Sequence, residues 1–364
     1  MKQDWKWVTL GDACDKGSSN VSQNQLGNEA GNYPIHGASG FIKNVSFYHN
    51  EKPYLSIVKD GSGVGRVTKM EAYTSVIGTL QYIYPKDGVD LSYLYYSLIA
   101  IDFKKYVAGA AIPHIYFKDY KNEPFLWTPL SEQQRIVAFL DEAFAAIAQA
   151  KAHAEQNLQN AKALFESYLR GVFENGNWET KTIEMVCDEI FAGGDAPKNN
   201  YSLEPNEKHN IPIYANAVKD RGLYGYTDFA RVSKPCVTIA ARGSGTGHTE
   251  LRSKSFLPIV RLIVCIPNTN LISAEFLKYT IDNLVIQRSG SAIPQLTVPM
   301  IKDYYIPVPT IDQQMQLIER AETLRAQTQR LEEVYRQKLD DLEELKKSVL
   351  AKAFRGELVG YHQI

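Results

Sequence analysis

PLSEQQRIVAFLDEAFAAIAQAKAHAEQNLQNAKALFESYLRGVF, residues 129–173, decides how this chain is built. From Ser131 to Phe173 it holds no proline, and Gly171 is its one glycine. Ser131 and Glu132 follow Pro129, a polar and acidic opening suited to the unpaired amides of a first helical turn. Apolar residues then recur at steps of three and four: Ile136, Leu140, Ala143, Ile147, Ala150, Ala154, Leu158, Ala161, Phe165 and Tyr168. This spacing predicts one long helix with a heptad-like seam. About 40 helical residues span roughly 60 Å at about 1.5 Å per residue. A domain of about 130 residues has a radius of gyration of only about 14 Å. Such a helix cannot be buried inside one domain, so it needs a partner along its length.

A second stretch of the same texture closes the chain. It steps through Leu317, Ala321, Leu324, Thr328, Leu331, Tyr335, Lys338, Leu342, Leu345, Val349 and Ala353. It is the natural partner, and the alanines of the first seam let two backbones approach closely. Both helices are the tails of one repeated unit. Trp5 through Cys14-Asp15 returns as Trp178 through Cys187-Asp188, and Pro34-Ile35 returns as Pro212-Ile213. Lys52-Pro53 and Gly61-Ser62-Gly63-Val64-Gly65 return as Lys234-Pro235 and Gly243-Ser244-Gly245-Thr246-Gly247. Ala111-Ile112-Pro113 returns as Ala292-Ile293-Pro294, Pro129 with Gln133-Gln134 as Pro309 with Gln313-Gln314, and Arg170-Gly171 as Arg355-Gly356. The offset stays between 173 and 185 residues, too long for a solenoid period. Two such halves joined head to tail become pseudo-two-fold symmetric if their helices run antiparallel. The other arrangements are a parallel pair, or helices packed on their own domains. Antiparallel is expected.

The segments before each helix read differently. Tyr54–Val58, Leu80–Tyr84, Val237–Ala240 and Leu262–Ile266 are short apolar runs rich in β-branched and aromatic residues, hence strands. One helical run follows the strands in each half, 91–106 and 272–287, with Ser92 and Ser273 as caps. The expected organisation is α+β: two similar sheet-rich globular domains, 1–130 and 176–309, and two helical segments, 131–175 and 310–364.

Bulk properties exclude several classes. No run of 18 apolar residues appears, so no membrane span is expected, and the opening MKQDWKWVTL lacks an apolar signal core, which predicts a cytoplasmic protein. Cys14, Cys187, Cys236 and Cys265 form no CxxC pair and read as reduced, mostly buried residues. The net charge is −1, and none of the four segments departs from balance by more than two charges. A protein that grips DNA alone through many phosphates is usually more basic. Either this chain does not bind DNA, or other subunits of an assembly supply the positive charge.

Catalytic patterns are missing from the sequence. The GSGVG motif after Tyr54–Val58 is followed by further strand (Arg66-Val67-Thr68, then Tyr73–Ile77), not by the helix that a dinucleotide loop opens. It reads as a tight turn that needs positive φ at glycine, or as a place where the backbone approaches a ligand. His36, His114, His209 and His248 are scattered without metal spacing, Ser62 and Ser244 lack a nucleophile-elbow context, and the Asn/Asp-Pro-Pro-aromatic tetrapeptide of amino-methyltransferases is absent. A binding protein is favoured, against a nucleotide-dependent enzyme or a pure coiled-coil scaffold. By chemistry and turn context, the candidate DNA contacts are Lys16, Lys43, Lys59, Ser62, Arg66, Lys69 and His114 in the first half. In the second they are Lys219, Arg221, Arg242, Ser244, His248, Arg252 and Lys254. The candidate coiled-coil and partner-docking residues are Gln133, Ile136, Leu140, Ile147, Leu158, Phe165, Gln313, Leu317, Leu324, Leu331, Leu342 and Leu345.

These landmarks carry a resemblance. The opening Trp5–Cys14, Tyr33-Pro34-Ile35-His36-Gly37, the glycine turns, Gly109–Ile115, the helix entry Pro129–Ile136 and the Arg-Gly exits are similar to the DNA-specificity subunit of Type I restriction–modification systems. No single motif is specific, but the ordered set is, and it covers the chain twice. The resemblance implies two target recognition domains that each read half of a bipartite double-stranded DNA site. It implies an antiparallel coiled coil that sets the spacer and docks two modification subunits. It implies a non-catalytic chain without cofactor, with S-adenosylmethionine, ATP and Mg2+ used by the modification and restriction subunits. The second copy departs from the first, with Tyr214 in place of His36 and Asp312 in place of Glu132. Base-contacting residues therefore do not transfer between halves by alignment.

Overall fold

The computed structural model describes residues 4–109, 111–243, 245–284 and 295–357. The chain divides into two compact units, Met1–Glu155 with Arg336–Ile364, and Gln156–Tyr335. The division cuts through both long helices, α4 (Leu130–Asn175) and α8 (Ile311–Phe354).

In the first unit, β1 (Lys6–Thr9) pairs antiparallel with β9 (Pro124–Trp127), which brings the two ends of the globular body together. A four-stranded antiparallel sheet runs in the order β2-β8-β5-β6, from Cys14–Ser18, Leu80–Pro85, Tyr54–Val58 and Val67–Met70. A smaller sheet, β4-β3-β7, joins Gly40–Val45, Tyr33–Gly37 and Ser75–Val76, with β3 and β7 parallel. The strand β5 is buried at every position, as its unbroken apolar run requires in the middle of a covered sheet. Short helices α1 (Leu10–Ala13), α2 (Leu91–Ile99) and α3 (Phe117–Tyr120) complete the unit. The core contains Leu55, Ile57 and Ile83 from the sheet and Tyr93, Leu94 and Leu98 from α2.

The second unit repeats this topology strand for strand. β10 (Thr180–Thr182) pairs with β18 (Tyr305–Pro307). The main sheet is β11-β17-β14-β15, from Cys187–Ala192, Ile263–Pro267, Cys236–Ile239 and Thr249–Arg252. The smaller one is β13-β12-β16, from Leu223–Thr227, Ile211–Tyr214 and Leu257–Pro258, again with one parallel pair. Short helices α5 (Ile183–Val186), α6 (Ala274–Asn283) and α7 (Val298–Lys302) complete it. In matching registers, Ile35 and His36 pair with Ser75 and Val76, while Ile213 and Tyr214 pair with Leu257 and Pro258. The replacement of His36 by Tyr214 is thus a true positional equivalence.

Contacts inside each unit give the helix orientation. In the first unit, Ile136 and Leu140 from the start of α4 share one core with Leu350 and Ala353 from the end of α8. Lys151 pairs with Glu343 at 2.6 Å, and the Lys346 ammonium lies 5.2 Å from the Phe144 ring centre. In the second unit the order reverses. Phe173 near the end of α4 and Leu317 and Ile318 near the start of α8 pack on the same core, and Arg325 lies 6.0 Å from the Phe165 ring. The helices are antiparallel. Ala154, Ala161, Ala321 and Thr328 are buried, the small residues that close approach requires.

Several expectations need correction. The helical run 91–106 is two elements, because α2 stops at Ile99 and Asp102 caps a separate 3-10 turn over Phe103–Tyr106. The cap of α2 is Asp90, whose carboxylate accepts from the Tyr93 amide at 2.9 Å. Ser92 lies inside the helix and its hydroxyl accepts from Lys69 Nζ instead. Ser273 does cap α6. That helix ends at Asn283, and residues 285–287 of the expected run lie outside the described residues. The strand expected over Tyr73–Ile77 shrinks to Ser75–Val76, since Tyr73 takes a left-handed φ of 57°. Along α8 three of the expected seam positions turn outward. Leu331 and Leu345 are 41% and 48% exposed and Lys338 is exposed, whereas the expected Ala321, Thr328 and Ala353 are buried, the expected Leu317, Leu324, Tyr335, Leu342 and Val349 are half-buried, and Leu350 is buried in addition. Next to the outward Leu345, the Lys346 ammonium lies over the Phe144 ring.

Gln133 also differs from expectation as a docking residue. Gln133 is fully buried, donating to the carbonyls of Gly88 and Thr128 and accepting from the Asp90 amide. Its counterpart is Gln314, which donates to the carbonyls of Leu271 and Pro309 and accepts from the Ser273 amide. Gln313 instead forms a reciprocal cap with Thr310. The repeat is therefore offset by one residue at this entry: Gln133 matches Gln314, and Glu132 matches Gln313.

Candidate nucleic-acid interface

At one end of each main sheet, several turns converge. In the first unit the glycine turn joins β5 to β6, closed by bonds from the Val58 amide to the Arg66 carbonyl and from the Gly65 amide to the Val58 carbonyl, both 2.9 Å. In the second, Ala240, His248 and Gly247 make the same pair of bonds, also 2.9 Å. No helix follows either turn, so neither is a dinucleotide loop. Gly61 and Gly243 have φ of 95° and 85°, and a Cβ at either would meet nothing within 4 Å. Glycine is there for its left-handed backbone, and the outer face is open to a bound surface.

The segment around His114 lies beside the first turn. The Gly61 amide donates to the Pro113 carbonyl at 2.8 Å, and the Ile115 amide donates to the Lys59 carbonyl at 2.9 Å. Its tip displays Ile112, 65% exposed, and Tyr116, 50% exposed, with the His114 and Tyr116 rings 4.8 Å apart. In the second unit the Leu296 amide donates to the Ala241 carbonyl at 2.8 Å, so Gln295 stands where His114 does. Ala292-Ile293-Pro294 lies outside the described residues, as does Ser244.

The β3–β4 turn completes the first cluster, with the Arg66 guanidinium donating to the Ala38 carbonyl. A cavity of about 150 Å³ opens there between His36, Arg66 and Thr68. Burial depresses the His36 pKa below the usual imidazole value, so the ring is neutral at neutral pH. In the second unit, segment 215–222 takes the place of that turn. Asp220 and Arg221 adopt left-handed φ of 50° and 54°, and Val260 and Arg261 adopt 52° and 62° in the turn before β17. Each such non-glycine residue costs about 1 kcal/mol or more. Asn216 ties these turns together. Its Oδ1 accepts from the Ala241 amide at 2.8 Å, and its Nδ2 donates to the Val260 carbonyl.

The structure sorts the candidate contacts. Lys59, Ser62, Arg66 and His114 gather in the first cluster, and Lys219, Arg221, Arg242 and His248 in the second. Lys16 lies on the edge strand β2, beside a depression shared with Lys118 and Lys121. Lys254 is exposed after β15. Three of the expected contacts are internal. Lys43 donates to the carbonyls of Leu26 and Gly27 at 3.0 and 3.2 Å. Lys69 donates to Ser92 at 2.9 Å and sits over the rings of Tyr95 and Tyr96. Arg252 is buried, stacked 3.6 Å from the Tyr214 ring centre and donating to the Arg221 carbonyl at 2.5 Å. Burial lowers its pKa, and the tyrosine ring that replaces His36 supplies its platform. Arg221 in turn is held by Glu250 at 2.8 Å. Burial raises the Glu250 pKa, but hydrogen bonds from Arg221 and His248 and the nearby guanidinium charges outweigh it, so the net shift is downward.

Sequence reasoning missed Ile112, Tyr116, Asn216 and Arg261. Ile112 fell inside a segment quoted for its repeat, and Tyr116 just after it. Neither side-chain bond of Asn216 has a signature in the sequence. Among the described residues, no three His, Cys, Asp or Glu side chains gather as a metal site, and no helix is long and apolar enough to cross a membrane.

The family model described as the Type I restriction modification DNA specificity domain matches residues 2–159 and again 175–341. The chain belongs to this family. Its two matches are the two copies of the repeat, each reaching from a sheet-rich body into a long helix. Among curated relatives, a putative type I specificity subunit of Mycoplasma pneumoniae is 27% identical over 52% of this chain and 52% of its own length. A second from that organism is 30% identical over 43% of this chain and 46% of its own. The chain thus spans about half the length of these relatives. The Type I restriction enzyme EcoDI specificity subunit of Escherichia coli is 21% identical over 98% of this chain and 89% of its length. In fold, a chain from a structure of the type I R-M system gives a TM-score of 0.75 at 17% identity, covering 98% of this chain and 99% of that one. The HsdS subunit from Thermoanaerobacter tengcongensis gives 0.67 at 17% identity, covering 98% of both chains.

Proposed function

We propose that this chain is the non-catalytic specificity subunit of a Type I restriction–modification complex. Each sheet-rich body reads one half of a bipartite site in double-stranded DNA through its converging turns. The observation that carries this reading is the duplicated specificity domain, matched twice by the family model and folded twice into one strand order. A near-neutral chain suits a reader whose partners supply the phosphate contacts. The antiparallel helices set the spacer between half-sites, which lie about 34 Å apart when separated by one helical turn of DNA. Exposed apolar residues along them, among them Leu164, Leu331, Val334 and Leu345, offer surface to two modification subunits. Those subunits bind S-adenosylmethionine and methylate adenine, while ATP- and Mg2+-dependent work belongs to restriction subunits. The complex acts in the cytoplasm, where the DNA is.

The test exchanges residues 1–130 for the matching segment of another specificity subunit. The complex with modification subunits is then expressed in a host without other methylases. Sequencing of methylated adenines is expected to show one half of the recognised motif changed and the other retained. A change in both halves, or methylation without sequence preference, contradicts the proposal.

A further inference from the structure

The two interface clusters share backbone geometry but differ in the residues they carry at two equivalent positions. In the first unit Asp60 bridges to His114, and in the second Arg242 bridges to Gln295. Thr79 precedes Leu80, whose amide donates to the Ile77 carbonyl at 3.0 Å. Arg261 precedes Leu262, whose amide donates to the Ile259 carbonyl at 3.1 Å. The Ile77 and Ile259 amides in turn donate to the carbonyls of His36 and Tyr214, both at 2.9 Å. So where the first body carries an acid and a hydroxyl, Asp60 and Thr79, the second carries two arginines.

Most charged side chains of the second cluster are occupied. Arg221 is held by Glu250, Arg252 lies on Tyr214, and His248 faces Glu250 at 3.2 Å. Arg242 and Arg261 are exposed, and among the described residues their guanidinium groups make no hydrogen bond or ion pair. Both follow a residue clamped by Asn216: Ala241 through its amide, Val260 through its carbonyl. The Arg261 turn is also held in a conformation that side chains disfavour. Four of the five left-handed non-glycine residues among the described residues belong to this cluster. The Val260 and Arg261 amides are tied to the carbonyls of Gly194 and Gly193 at 2.7 and 3.2 Å. Val260 itself is 48% exposed, so no apolar burial of that side chain accounts for the turn. Residues held in such sparsely populated conformations cluster at functional sites.

We propose that Arg261, with Arg242 beside it and Asn216 as the positioning residue for both, reads guanine in the half-site of the second body. An unoccupied guanidinium matches the O6 and N7 acceptors of guanine in the major groove with two parallel hydrogen bonds. A turn pinned through its backbone holds that fork in register. The first body, with Asp60 and Thr79 in these places, lacks the guanine reader there. The inference rests on the DNA-reading function proposed above and goes further by naming residues and a base.

The test uses the full chain assembled with its modification subunits, selecting from a randomised duplex library and measuring competition binding. Arg261→Ala is expected to relax one guanine position of the second half-site by roughly 5- to 150-fold in discrimination. The first half-site and the thermal midpoint should be unchanged. Arg242→Ala is expected to relax a neighbouring position. Arg261→Lys keeps the charge but not the fork, and is expected to lose most of the discrimination as well. A loss spread evenly over all sequences and restored by Arg261→Lys means a phosphate contact and overturns the proposal. So does a wild-type motif that Arg261→Ala leaves intact. A wild-type complex without any sequence preference overturns the DNA-reading function itself.

Discussion

Glu250 shows how a single residue organises the second interface. Its carboxylate accepts from the Arg221 side chain at 2.8 Å and faces His248 at 3.2 Å, which holds two exposed segments to one strand. These partners hold its pKa below the ordinary glutamate value of 4.5. A carboxylate whose pKa is lower folded than unfolded stabilises the fold above its unfolded pKa, and that contribution is lost as pH falls through the folded one. Glu250→Gln is therefore expected to cost about 1–3 kcal/mol at neutral pH. The cost should shrink as the pH is taken down through 4.5 and below. Urea titrations of wild type and variant across that range measure it, and a penalty independent of pH contradicts the assignment. At this scale the sequence was least legible. Lys43, Lys69 and Arg252 have the same chemistry as Arg242 and Lys59, yet their charged ends are consumed by carbonyls, a hydroxyl and aromatic rings brought from distant segments. Gln133 and Gln314 look like polar residues on a helix entry, but each satisfies backbone groups that packing would otherwise leave buried and unpaired.

At the scale of the element, the long helices were readable because only a long helix gives a heptad-like seam a use over so many turns. Their starts were readable from the turn chemistry, with α4 opening at Leu130 and α8 at Ile311 just after Pro129 and Thr310, but their ends were not, since α4 runs through Arg170-Gly171 to Asn175 and α8 stops at Phe354. Three positions of the α8 seam were not readable either, because the plain spacing does not show that Leu331, Lys338 and Leu345 lie on the exposed side of the helix. That difference makes a prediction. Leu350→Ala removes a buried side chain from the core shared by α4 and α8 in the first unit, and is expected to cost about 2–5 kcal/mol in chemical denaturation. Leu345→Ala, on the exposed side, should leave stability nearly unchanged. Equal losses from the two would mean that the seam runs as the plain spacing suggests. The short elements were blurred where local capping decides them. Asp90 and Asp102 each pair with a nearby amide, and the apolar run between them cannot show that the helix stops and starts again.

At the scale of the whole molecule, the repeat is the dominant fact. If the helices measure the spacer, then removing one turn of about four residues from the middle of each should shorten the gap between half-sites while the bases read at either end persist. Methylated-motif sequencing of that variant is the check, and an unchanged spacer contradicts a measuring role for the helices. The order of landmarks, repeated at a nearly constant offset, was enough to establish duplication, two sheet-rich bodies and two long helices. Those features depend on periodicity and on turn chemistry, which are local along the chain. Only the tertiary structure decided the direction of the helix pair, since the same seam suits either sense, and it does so by joining Leu350 and Ala353 to the core that holds Ile136 and Leu140. It also decided which polar groups remain available to a ligand, because that depends on partners contributed by residues far away in the chain.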